Sequence, residues 1–166
     1  MHAPTSALLA ILAAAVLAGC VSTSQSTVVS PLSQAMAQSG RVDEVVFDGG
    51  GLDGVSSEFT ETFKTNVKAK LAACAKGDKQ LRLEASISKV TKANKAMVIV
   101  LGAGRSSVAG RARLVDISTG ATVGEYDIGR KVYGARPAMI VMLQGEKQLS
   151  NAFGDELCAR AFPKAT

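Results

Sequence analysis

The sequence predicts an α+β domain: a two-layer sandwich in which a mixed, mainly antiparallel sheet carries two helices on one face. Three observations carry the prediction. Apolar residues recur at helical spacing from Val55 to Cys74. Residues 81–88 alternate apolar and polar, as do the stretches flanking a turn at Asp116–Gly120, which marks half-buried strands. A second, less regular helical stripe closes the chain.

The first element is removed rather than folded. Leu8 to Leu17 are ten unbroken apolar residues, too few to span a bilayer at about 1.5 Å per residue. They suit the apolar segment of a secretory signal. Leu17-Ala18-Gly19-Cys20 follows at once and resembles the lipobox of bacterial lipoproteins, in which the Cys thiol takes a diacylglycerol. Residues 1–19 are therefore read as signal peptide and Cys20 as the lipidated, palmitate-bearing N-terminus of an exported protein. Met1 to Ser6 hold no Lys or Arg, so positive charge ahead of the apolar run comes from the amino terminus and His2. Val21 stands where an Asp would signal inner-membrane retention. The expected location is the outer membrane, facing the periplasm.

Val21 to Gly40 carries no charge and is rich in Ser, Thr and Gln. It has too little apolar surface to fold alone, so residues 20–40 read as a flexible tether. Such a chain reaches roughly 25 Å. Thr27 to Leu32 is its one stretch suited to dock as an edge strand.

Residues 41–166 then form a single domain. Val45, Val46 and Phe47 mark a strand over Val42–Asp48, and Gly49-Gly50-Gly51 ends it. Val55, Phe59, Phe63, Val67, Leu71 and Cys74 define the first helix, with Ser56 or Ser57 as caps and Gly77 beyond its end. Leu81, Leu83, Ala85 and Ile87 form the buried side of a second strand. Met97 to Leu101 is an apolar run between polar residues and Gly102, read as a buried strand with a bend after it. Ser106 to Tyr133 reads as a hairpin whose turn, Asp116-Ile-Ser-Thr-Gly120, lets Asp accept from following amides and Gly take positive φ. Met139, Met142, Leu149, Phe153 and Leu157 outline a last helix from about Gln144 to Phe162, weakened at Gly145 and Gly154.

Cys74 and Cys158 remain once Cys20 is assigned, and an oxidising compartment favours their pairing; the alternative is two buried free thiols. The only His lies in the removed segment, which leaves no His for a metal site or a Ser-His pair, and no cofactor is expected. A Ser-Lys arrangement is the only serine chemistry left open. Gly102-Ala103-Gly104 superficially suggests a dinucleotide loop, but the residues after it alternate as a strand instead of opening a helix. Asp48 to Gly54 lacks the spaced oxygen ligands of a calcium loop. With no Trp, two Tyr and five Phe, stacking surfaces for nucleic acid are poorly supplied. An enzyme is not expected.

The formal charge is +5, none of it from residues 1–19. Arg105, Arg111, Arg113, Arg130, Lys131 and Arg136 gather around the hairpin as a possible basic interaction patch for phosphate-bearing lipid or an acidic partner. The plainer reading is a solvated face balanced by Glu125 and Asp127.

Gly102-x-Gly104-Arg105, the strand with alternating Arg, and Leu114-Val115-Asp116-x-x-Thr119-Gly120 resemble a domain-of-unknown-function family of bacterial outer-membrane lipoproteins. The resemblance runs from the lipobox to the final helix. It implies an accessory protein of the cell envelope and carries over no catalytic residues. The sequence thus points to a non-enzymatic adaptor, bound to the membrane through its lipid and to an envelope protein partner. A carrier or sensor of a small amphiphile is the alternative, drawn from Met97–Leu101 and from Met139, Ile140 and Met142. Oligomeric state is left open.

Overall fold

The computed structural model describes residues 21–49, 52–53, 55–135 and 144–163. The elements run β1 (Val21–Ser24), β2 (Thr27–Ser30), α1 (Gln34–Ser39), β3 (Gly40–Asp48), α2 (Phe59–Cys74), β4 (Lys79–Thr91), α3 (Lys95–Leu101), β5 (Ala103–Asp116), β6 (Thr122–Ala135) and α4 (Gly145–Ala161). The six strands make one mainly antiparallel sheet in the order β1-β6-β5-β4-β3, with β2 also on β6. Among the described strands only β3 and β4 pair in parallel, joined through α2. This is the predicted α+β architecture.

The core lies between the sheet and the pair α2/α4. Leu81, Leu83, Ala85 and Ile87 of β4, Val108, Ala112 and Leu114 of β5, and Tyr126, Ile128 and Val132 of β6 all point to it. Phe59, Phe63, Val67 and Leu71 answer from α2, and Leu149, Phe153 and Leu157 from α4. The alternation seen in the sequence thus becomes one dry face and one wet face. The Phe63 and Phe153 rings meet with centroids 5.1 Å apart. Gly154 lets the two helices close: a Cβ there would stand 2.7 Å from Lys70 Cβ and 3.4 Å from Val67 Cα. Cys74 and Cys158 join the same helices in a disulfide, with Cα atoms 5.9 Å apart.

The hairpin turn forms as its residues dictate. Asp116 Oδ1 accepts from the Ser118 amide at 2.8 Å and from Thr119 at 3.3 Å. Gly120 sits at φ 70°.

Three expectations are corrected. Residues 21–40 are not a tether: β1 and β2 pair along β6, from Val21 opposite Tyr133 to Ser30 opposite Glu125, and α1 follows. The segment lacks apolar surface, but β6 offers it unpaired backbone groups, and ladder bonds recruit it instead. Leu32 adds the one buried side chain of the stretch from 22 to 39, and its amide donates to the Tyr126 hydroxyl at 2.9 Å. Met97–Leu101 is not a buried strand but helix α3. The Asn94 side chain accepts from the Met97 amide at one end, and Gly102 adopts φ 67° at the other. Those two caps outweigh the strand preference of Val98, Ile99 and Val100. Lastly, α2 starts at Phe59 with no side-chain cap, and Ser56 has another partner.

Candidate functional site

The mature chain would begin at Cys20, which lies outside the described residues, as do Arg136, Met139, Ile140 and Met142. The residue after Cys20 is already in the sheet. A polar cluster fixes that first strand. Glu156, on α4, is a carboxylate only 5% exposed. Ser24 Oγ donates to its Oε1, Arg130 Nη1 donates to Oε2 at 2.9 Å, and Arg160 Nε donates to Oε1 at 2.9 Å. Arg130 also donates to Ser22 Oγ, and Arg160 Nη2 reaches Ser24 Oγ at 3.2 Å. Burial pushes the Glu156 carboxyl upward, but hydrogen bonds from Ser24 and Arg160 and the charge of Arg130 outweigh it, leaving the group below its ordinary value. The cluster therefore holds a charged carboxylate that clamps β1 to α4 across β6.

Sequence reasoning placed Arg130 in a basic patch and overlooked Glu156. The signal was present. Glu156 follows Leu149 and Phe153 by seven and three residues, which puts it on the inward stripe of the helix. An acid on such a stripe needs a cation, and Arg130 is it.

The proposed basic patch divides three ways. Arg130 points to the helix side and is spent on Glu156. Arg111 and Arg113 lie on the helix-free face and are matched there. Arg111 pairs with Glu125 at 3.1 Å and Asp127 at 3.0 Å, and Arg113 approaches Glu84 at 3.8 Å. That part is the balanced, solvated face. Arg105 and Lys131 share the same face nearer the β1 end and have no ion pair among the described residues.

At the start of α4, Glu146 gathers the groups that a Ser-Lys site would need. Ser56 Oγ donates to Glu146 Oε2 at 2.6 Å, the Ser56 amide donates to Oε1 at 2.7 Å, and Lys92 Nζ donates to Oε1 at 3.0 Å. Burial raises this carboxyl, while Ser56 and Lys92 together lower it further, so the net shift is downward. The lysine is bonded to the carboxylate, not to the serine. Activation of Ser56 needs a neutral amine on its hydroxyl. The cluster staples the loop before α2 to the β4–α3 connection and to α4.

The helix α3 presents Met97, Ile99, Val100 and Leu101 to the outside, each more than half exposed, while Val98 is buried. No helix among the described residues is long and apolar enough to cross a membrane.

No protein-family model and no curated protein matches the chain. Among solved structures, a PelC dodecamer from Paraburkholderia phytofirmans superposes with TM-score 0.52 at 14% identity, over 84% of this chain and 98% of that one. A variant of the same protein in another crystal form gives TM-score 0.45 at 13% identity, over 81% and 98%. A candidate lipoprotein from Caulobacter crescentus CB15 gives TM-score 0.43 at 12% identity, over 69% and 84%. At 14% identity what the chain shares with the first of these is the fold.

Proposed function

We propose that this chain is a lipid-anchored, non-enzymatic accessory protein of the bacterial envelope, held directly against the periplasmic face of the outer membrane. The single observation that carries the reading is the position of Val21. It is hydrogen-bonded into the sheet beside Tyr133, one residue after the Cys of the lipobox. Three acyl chains on Cys20, the modification that the lipobox likeness implies, would hold firmly, at about 0.8 kcal/mol per buried methylene. With no slack after Cys20, the domain would sit on the bilayer and present its surface to envelope partners there. The Cys74–Cys158 bridge accords with an oxidising compartment. The adaptor role is favoured over catalysis by how Ser56 and Lys92 are both committed to Glu146.

Mass spectrometry of the N-terminal peptide of the native protein tests the reading. A diacylglyceryl-modified, N-acylated Cys20 is expected. A peptide starting elsewhere, or an unmodified thiol, overturns it. Cross-linking restricted to intact outer membranes should then capture a defined protein partner.

A second reading concerns assembly. The Paraburkholderia protein forms a dodecamer, and β3 lies at the outer edge of this sheet. We extend the proposal to self-association of the lipoprotein, read by light scattering of the detergent-solubilised chain. A mass of one chain at all concentrations removes this part.

A further inference from the structure

Four apolar side chains stand together in the open at one end of the domain. Met97 is 51% exposed, Ile99 58%, Val100 71% and Leu101 63%, whereas Val98 alone tucks inward and holds α3 to the fold. The caps at Asn94 and Gly102 fix this presentation. Soluble domains seldom leave such a contiguous patch without something to cover it.

Its place in the fold says what covers it. The helix links the end of β4, at Thr91, to the start of β5, at Ala103. Ala103 pairs with Ala135, and two residues further in, Arg105 pairs with Tyr133, which pairs in turn with Val21. Val21, Tyr133 and Arg105 thus form one row across three neighbouring strands, about 10 Å wide at the usual strand spacing. The residue before Val21 is Cys20. The chain therefore enters β1 at the same end of the sheet as the apolar helix.

Charge is sorted along the same axis. Toward the β5–β6 turn, the helix-free face is neutralised: Arg111 by Glu125 and Asp127, Arg82 by Glu84. Toward the anchor, Arg105 is exposed and Lys131 half-buried, and neither has an acidic partner among the described residues. Tyr133, 37% exposed, stands in the row with Arg105. Apolar side chains at the tip, cations and a tyrosine just behind them: that order matches the order of acyl chain and headgroup in a bilayer surface.

We propose that this end of the domain docks on an anionic lipid surface, with α3 lying at the boundary between headgroups and acyl chains. Arg105 and Lys131 meet lipid phosphate, and Tyr133 sits at headgroup level. The inference rests on the lipidation of Cys20 proposed above, which brings the bilayer to this end rather than any other.

The chain contains no Trp, which makes the test direct. Val100→Trp supplies a reporter on α3. Ile117→Trp supplies the control in the turn at the far end, where Ile117 is 39% exposed. Each lipidated full-length mature chain is reconstituted in 3:1 phosphatidylethanolamine/phosphatidylglycerol vesicles with brominated acyl chains. For a helix about 5–10 Å below the surface, V100W emission should fall about two-fold or more against unbrominated vesicles, and I117W should not change. Quenching should weaken when phosphatidylcholine replaces the phosphatidylglycerol. Three results overturn the proposal. V100W and I117W are equally unquenched while the mass spectrum shows lipid on Cys20; the anchor reading then survives alone. V100W is blue-shifted but untouched by bromine, which identifies a protein, a second copy included, as the occupant. Or Cys20 carries no lipid, and the anchor reading falls together with the inference.

Discussion

Replacing Glu156 by Ala should destabilise the domain by about 3 kcal/mol. The carboxylate is 5% exposed and its partner Arg130 16% exposed, so the variant leaves a largely buried guanidinium without its counter-charge. Breaking such a pair from one side costs about 3–5 kcal/mol. The lower end applies because Arg130 keeps its bond to Ser22. Arg160 is 39% exposed, so its pairing adds only about 0–1 kcal/mol. Urea unfolding of the Glu156→Ala chain measures the loss. The double variant Glu156→Leu with Arg130→Met is the decisive companion. It removes both charges, and apolar packing of similar volume should recover most of the stability. A Glu156→Ala loss below about 1 kcal/mol, or a double variant as damaged as the single one, would refute a buried, paired clamp.

Three other outcomes follow from the same structure. Reduction of the Cys74–Cys158 bridge, which spans 84 residues, should lower stability by about 4 kcal/mol, or about 2 M in the urea midpoint at an m-value near 2 kcal/mol/M; an unmoved midpoint under dithiothreitol contradicts it. Gly154→Ala should destabilise by about 1–2 kcal/mol in thermal melts, because the clash with Lys70 Cβ at 2.7 Å outweighs a helix gain of about 1 kcal/mol. A raised melting temperature would show that α2 and α4 can separate freely. The folded-state values of Glu146 and Glu156 lie below the ordinary glutamate value of 4.5. Protons therefore bind the unfolded chain first, and stability present above that value is lost as pH falls beneath it. Melts from pH 6 to pH 3 should show the decline, and Glu156→Gln should flatten it.

Much of the fold is legible in the residues because patterning and packing agree there. The stripe from Phe59 to Leu71 and the alternation from Leu81 to Ile87 state their buried faces directly, and Asp116 and Gly120 specify their turn. The misread elements are those governed by something other than burial. Residues 21–24 belong to the sheet through backbone pairing with β6, and ladder bonds leave no trace in side-chain composition, whereas Thr27–Ser30 docks as a strand within the stretch singled out for it. The apolar run 97–101 satisfies a strand pattern as well as a helix pattern. Its outcome is decided by single residues at its ends, Asn94 and Gly102. The basic patch was legible as a count of charges but not as a surface. Strand parity sends Arg130 to the helix side, and cross-strand neighbours neutralise Arg111 and Arg113. The clamp at Glu156 was within reach through helix periodicity, since a residue three after Phe153 and seven after Leu149 lies on the inward stripe of the helix.

Hydrogen exchange on the native protein in membranes, followed on the peptide that would start at a lipidated Cys20, measures most directly whether the fold reaches the proposed anchor. Amides of Ser22 to Ser30 that bond to β6 should exchange slowly, within reach of the β5–β6 ladder, on a peptide whose mass includes the lipid. Exchange at free-chain rates on that same lipidated peptide would restore a loose leash between bilayer and domain, contradicting a module seated on the membrane.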